Sequence, residues 1–178
     1  MFRRDERASQ RVLATAILVL LLGSESRSGA EPLLLYVLGR ATPPGMPVLV
    51  GQAVERAVKK LEAESCREVF AGYRDAEGRT LRENLQTVGK TEAGYLQWTL
   101  FYDGAGTRSC EQRSTYAWTK PNSHVVFVCT EQFREVAVRD PELAAVLIIH
   151  EELHSLGLGE NPPDSKEITA RVISGCGR

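Results

Sequence analysis

The apolar positions along the chain change period several times, and each period predicts an element. Between Gln52 and Ser65, the residues Ala53, Val54, Ala57, Val58 and Leu61 recur at helical spacing, with Lys59, Lys60, Glu62 and Glu64 on the other face. This predicts an amphipathic helix ending near Cys66. Residues 75–78 read as a turn, and Leu81, Leu85 and Val88 then predict a second, shorter helix. Leu96 to Tyr102 reads as a strand stopped by Asp103-Gly104-Ala105-Gly106. Thr115–Lys120 and His124–Cys129 flank Pro121-Asn122-Ser123, which predicts a hairpin. Its second strand is apolar on both faces, as in a strand covered from two sides. Upstream, Pro32 to Gly39 is a short apolar run with strand character, followed by a Pro/Gly breaker at 41–47.

Asp140-Pro141-Glu142 opens a helix with a capping acid and a proline at the first position. It runs to about Leu156 and stops at Gly157. Leu143 and Leu147 form one apolar stripe, and Val146, Ile149, Leu153 and Leu156 form the adjacent one. Asn161-Pro162-Pro163 breaks the chain again. Asp164 and Glu167 then have capping-box spacing for a last helix, with Ile168, Val172 and Cys176 on its inner stripe. The pattern predicts an α+β fold: a few-stranded sheet, a backing helix before it, a long helix and a short C-terminal helix after it. There is no internal repeat or low-complexity tract.

The first 30 residues change the reading of everything after them. Residues 1–11 carry four arginines, and Val12 to Leu22 is an uncharged, mostly apolar run of 11 residues. That is the length of a signal-peptide core and too short to span a bilayer. Small residues Ser28 and Ala30 stand at the −3 and −1 positions of a cleavage site after Ala30. The expected mature chain, 31–178, is a single exported domain, periplasmic or extracellular, with no integral membrane segment. Five arginines and three acids leave with the leader, so 17 of 22 basic and 20 of 23 acidic residues remain. A slightly acidic chain offers no electrostatic footprint for nucleic acid. The four cysteines are expected to pair in an oxidising compartment. Cys110–Cys129 with Cys66–Cys176 is the favoured connectivity of the three that four cysteines allow, and the other two stay open.

The chemistry lies in 150–160, HEELHSLGLGE. His150 and His154 stand four apart on the predicted helix, so their imidazoles leave from one face and can hold one Zn²⁺. Glu151 follows the first ligand and can act as general base toward water held by the zinc. Glu160 is the expected third metal ligand, giving a His₂Glu set with one position open. Asp164, Glu167 and His124 are its rivals. Glu167 is also explained as a helix-capping partner of Asp164, and His124 as a structural residue opening a strand. Tyr95, Tyr102 and Tyr116 are candidates for a phenol that polarises a scissile carbonyl. Asp103-Gly104-Ala105-Gly106 lacks the ending of a phosphate loop and reads as a plain connection.

His150-Glu151-x-x-His154-x-x-Gly157-x-x-Glu160 resembles the zincin metallopeptidases, and more narrowly the metzincin form of their motif. In that family the glycine turns the chain so that a third ligand follows three residues later. Glu160 stands where its members have His or sometimes Asp. The methionine turn of the family has no counterpart, since the only methionines are Met1 and Met46. The tail LGLGENPPDSKEIT is also similar to a group of uncharacterised bacterial exported proteins. The resemblance implies a small zincin-like domain and an exported, monomeric zinc metallopeptidase acting on a peptide or protein. A strand edge, 124–129, would hold the extended substrate. An amidase on cell-wall peptides would use the same chemistry. The alternative class is a non-catalytic exported domain whose zinc is structural or vestigial; a closed set of four ligands would mark it.

Overall fold

The computed structural model describes residues 42–177. The signal-peptide reading and the run Pro32 to Gly39 lie outside the described residues. The described residues form an α+β domain of seven helices and one small mixed sheet.

Helix α1 (Met46–Lys60) begins earlier than its periodicity predicts. Pro47 sits in the first turn, where a missing N–H costs nothing, so the expected breaker opens the helix instead. Met46, Val50, Ala53, Val54 and Ala57 form its buried stripe. The expected single helix to Cys66 is two helices. The apolar phase slips after Leu61, because the next buried residues are Cys66, Val69 and Phe70 rather than Glu64 and Ser65. The chain turns at residues 61–63 and restarts as α2 (Glu64–Gly72), which turns the new stripe inward.

Helix α3 (Leu81–Thr87) carries a full capping box, Thr80 with Glu83. Helix α4 (Glu92–Trp98) occupies the first half of the expected strand 96–102. Leu96, Trp98 and Leu100 alternate in sequence, but Leu96 is buried while Trp98 and Leu100 are exposed. The buried residues Glu92, Tyr95 and Leu96 instead follow helical spacing, and the Thr91 hydroxyl accepts from Gly94 N–H to start the helix.

Strands β1 (Leu100–Asp103), β2 (Ala117–Thr119) and β3 (Val125–Val128) follow in the sheet order β1-β3-β2. The hairpin forms as expected, with β2 antiparallel to β3 and Trp118 opposite Phe127. β1 joins the other side of β3 in parallel. β3 is therefore paired on both sides, and 124–129 is not a free edge. The edge strand on the hairpin side is β2.

Helix α5 (Thr130–Arg139) was not foreseen; Phe133, Val136 and Ala137 bury its inner face. Helix α6 (Pro141–Ser155) starts where expected, with the Asp140 carboxylate accepting from Leu143 N–H at 3.0 Å. It is the axis of the fold: α1, α5, α7 and β2 all pack on it, and every residue from Ile148 to Ser155 is buried. Helix α7 (Ser165–Cys176) is capped by Asp164, which accepts from Glu167 N–H at 2.8 Å. Its inner stripe is Ile168, Val172 and Cys176, as the sequence predicts.

Two disulfides brace this arrangement, Cys66–Cys176 and Cys110–Cys129. The first ties the end of α7 to α2; the second ties the loop after β1 to the end of β3.

Candidate metal centre

Helix α6 delivers His150 and His154 to the same face, one turn apart and both buried. Their Nε2 atoms approach to 3.0 Å. Each Nδ1 has its own partner. Nδ1 of His154 meets the Leu158 carbonyl at 2.8 Å, and Nδ1 of His150 meets the Thr169 hydroxyl on α7 at 3.0 Å. A carbonyl only accepts, so His154 donates from Nδ1, and in the neutral ring the lone pair then lies on Nε2. That Nε2 faces Glu160 Oε1 at 3.4 Å. Burial, with the neighbouring His154, pushes the His150 imidazole down to about 3, so this ring is neutral at physiological pH.

The turn that brings Glu160 back is built at Gly157. Its φ of 110° lies in the region that favours glycine. A side chain there would also meet Asn122 Oδ1 at 2.9 Å and Asp75 Cβ at 3.1 Å. Asn84 holds the preceding residue: its amide donates to Asp75 Oδ2 and to the Leu156 carbonyl, both at 2.9 Å. Beyond the turn, Leu158 is buried and aims its carbonyl at His154.

Among the described residues, His150, His154 and Glu160 form the group whose ligand atoms converge, all within 4.8 Å of one another. Ligands at the 2.0–2.1 Å of a tetrahedral zinc site stand about 3.3 Å apart. The 3.0 and 3.4 Å separations are close to that spacing. Two imidazoles and a carboxylate are a donor set that suits Zn²⁺, with room for a fourth ligand. The rivals lie outside this group. Asp164 caps α7, Glu167 lies in the first turn of that helix, and His124 stacks on Trp98 with centroids 4.4 Å apart.

The three residues line an open cleft of about 820 Å³ between α6, α7 and β2. Glu160 keeps 43% of its side chain exposed, so the convergence point is open to solvent. Of the two adjacent motif acids, Glu151 lines the cleft and Glu152 does not. Both are buried. Glu151 Oε2 has no hydrogen-bond partner, and burial with the nearby charge of Glu160 pushes its carboxyl up to about 8. Burial, with Glu92 adding to it, also raises Glu152 well above the usual range.

Of the three candidate tyrosines, Tyr116 lines the cleft. Tyr95 is buried and donates to the Ser155 carbonyl at 3.3 Å, while Tyr102 leans on Phe127. Asp103 starts a plain loop by accepting from Ala105 N–H. Thr169, Leu158 and Asn84 were not singled out from sequence. Thr169 and Asn84 act through contacts between elements distant in the chain, which leave no local signal, while Leu158 acts on His154 through its backbone carbonyl, which any residue type would supply.

No family model matches this chain, no curated protein matches it, and no solved structure matches it.

Proposed function

We propose that the chain is an exported, zinc-dependent metallopeptidase of metzincin-like type, acting on a peptide or protein. The observation that carries this reading is the convergence of His150, His154 and Glu160 beside Glu151, a buried acid that lines the open cleft and has one unpartnered oxygen. A structural zinc has no use for such an acid, so the arrangement favours catalysis over the alternative of a closed site. His150 and His154 hold the metal through Nε2, and Glu160 is the third ligand. Bound there, Zn²⁺ supplies Lewis acidity that polarises a scissile carbonyl and makes water easier to deprotonate. The positive charge of a bound metal would favour the ionised form of the Glu151 carboxyl, which stands raised without it, so that Glu151 could take the proton from the attacking water and pass it to the leaving amine. β2 lines the cleft with its outer edge unpaired, and that edge offers backbone hydrogen bonds to an extended substrate. Export is supported by the two disulfides and by the leader-like first 30 residues. No helix of the described residues is long and apolar enough to cross a membrane.

The test separates binding from turnover. Glu151→Gln keeps the shape of the acid but cannot accept the proton, so it should retain stoichiometric zinc and lose on the order of 10²-fold or more in hydrolysis. Zinc content by elemental analysis and digestion of an unbiased peptide library measure the two. Unchanged hydrolysis in the variant, or a wild type that takes up no zinc, overturns the reading.

A further inference from the structure

Apart from the two histidines, three side chains with titratable charge line the cleft. Two are Glu151 and Glu160 of the metal centre, and the third is Lys166. Helix α7 runs back along α6 after the turn at 157–164, with Thr169 against His150. Lys166 stands one turn before Thr169 on the same face, about 4.5 Å along the axis toward the His154 end. It lines the cleft next to Ser165 and Glu160. The polar lining that leads into β2, Ser109, Gln112, Ser114 and Thr115, is uncharged. Lys166 is exposed, and among the described residues neither its ammonium nor the Ser165 hydroxyl has a hydrogen-bond or ion-pair partner. Its acidic neighbours in sequence, Asp164 and Glu167, do not line the cleft, and Asp164 is engaged in capping α7.

A lysine ammonium brings three donors and no acceptor. Unpaired at the wall of a cleft, it can take a carboxylate, with the serine hydroxyl as a second donor. We propose that Lys166 and Ser165 form a subsite for a carboxylate of the bound peptide, close to the bond held at the metal centre. That carboxylate is an Asp or Glu side chain or the C-terminal group, which present the same pair of oxygens. Extended chain advances about 3.3–3.6 Å per residue, so the carboxylate belongs within about two residues of the scissile bond. With Glu160 committed to the cation, Lys166 is the charge that a substrate meets at this end. The inference rests on the peptide-cleft part of the function proposed above and deepens it by naming the chemical group selected. Glutamine keeps the shape of glutamate without its charge, and should bind about fivefold or more weaker. The pair is open to solvent, so this difference should shrink as salt is raised.

The test reads binding rather than turnover, so it can fail independently of the catalytic reading. Glu151→Gln in excess zinc is titrated with short alanine-based peptides in two series. One series has an amidated end and carries Glu or Gln at a single position that is moved along the peptide. The other carries no acid and ends in a free or an amidated C-terminus, at increasing length. The expected result is about fivefold or more tighter binding of the carboxylate at one position in one series, and weaker preference in high salt. The series that responds identifies the source, an acidic side chain or the chain terminus. Lys166→Glu should abolish the preference and favour a lysine at that position, and Lys166→Met should abolish it without favouring lysine, both with zinc content and helix content unchanged. Equal binding of carboxylate and amide throughout both series overturns the proposal. So does a preference that survives in Lys166→Glu, which would place the carboxylate on the metal instead. If the Lys166-dependent preference holds while wild-type protein hydrolyses no peptide, the subsite stands and the peptidase reading falls.

Discussion

His150 can carry its proton on either ring nitrogen, and the Thr169 hydroxyl serves both forms. Without a cation, Thr169 can donate to Nδ1 while Nε2–H points at His154 Nε2, 3.0 Å away. To ligate through Nε2, the ring must move its proton to Nδ1, and the same hydroxyl can then accept. Thr169→Val keeps the shape and removes this partner, so zinc affinity should fall about 10- to 100-fold, as for other residues that orient a ligand from behind. Thr169→Ser should restore most of it. Competition against a chromophoric chelator measures both; equal affinities across the three proteins would deny the role. Glu160→Ala should weaken zinc as His154→Ala does, and a wild-type affinity would reduce Glu160 to a solvated acid. The His150, Glu151 and His154 constellation was legible because one helical turn fixes it. Thr169 was not, because it reaches His150 from another helix.

Elements were legible where period and caps agreed. Asp140-Pro141 and Asp164 marked the starts of α6 and α7, and both caps form. Of the strand expected at 96–102, the second half forms β1 and the first half is the end of α4, because alternation in Leu96, Trp98 and Leu100 describes exposure poorly there. The Thr91 cap and the buried Glu92, Tyr95 and Leu96 spacing prevail instead. α5 carries a sparse inner face of Phe133, Val136 and Ala137, easily lost among charges. The placement of α7 matters most for function, since it bears Thr169 and one wall of the cleft. Its last turn is fixed by Cys66–Cys176, and Ser65 adds a 2.7 Å hydrogen bond to the Gly175 carbonyl. This disulfide closes a sequence separation of 110 residues, against 19 for Cys110–Cys129. By chain entropy the long loop is worth about 5 kcal/mol and the short one about 3. Replacing both cysteines of the first pair with alanine should therefore cost more in urea unfolding than replacing those of the second. It should also weaken zinc binding, by loosening Thr169. A variant lacking Cys66–Cys176 with wild-type zinc affinity would show that the core alone places α7.

At the scale of the whole molecule, the α+β class was legible, but the parallel pairing of β1 with β3 was not, because it joins strands 25 residues apart in register. Nor was the clamp that joins the loop before α3 to the end of α6. That clamp gives the fold a defined response to acid. Asp75 is its centre: its carboxylate accepts from Asn84, from the Arg79 guanidinium and backbone, and from Glu77 N–H. The Asn84 hydrogen bond is the main cause that lowers Asp75 to about 2, and the Arg79 bonds and charge add to it. Glu83 stands nearby, its own carboxyl lowered by bonds from Thr80, and Arg74 adds positive charge to that side. A carboxyl lower in the folded state than in the unfolded chain stabilises the fold above its ordinary range, and that contribution disappears as pH falls through the folded value. Stability from Asp75 should thus be complete above about pH 4 and lost as pH approaches 2. Asp75→Asn removes the charge but keeps the size. It should be less stable than wild type at pH 6, and the gap should close between pH 4 and 2. Urea unfolding across that range, followed by circular dichroism, gives both curves. Two curves that stay parallel down to pH 2 would place the acid response in other carboxylates. Because Asn84 bonds the Leu156 carbonyl from the same amide group, losing the Asp75 charge also slackens the turn at Gly157 that carries Glu160. Zinc affinity at pH 6 should fall in Asp75→Asn, although the residue lies outside the ligand group.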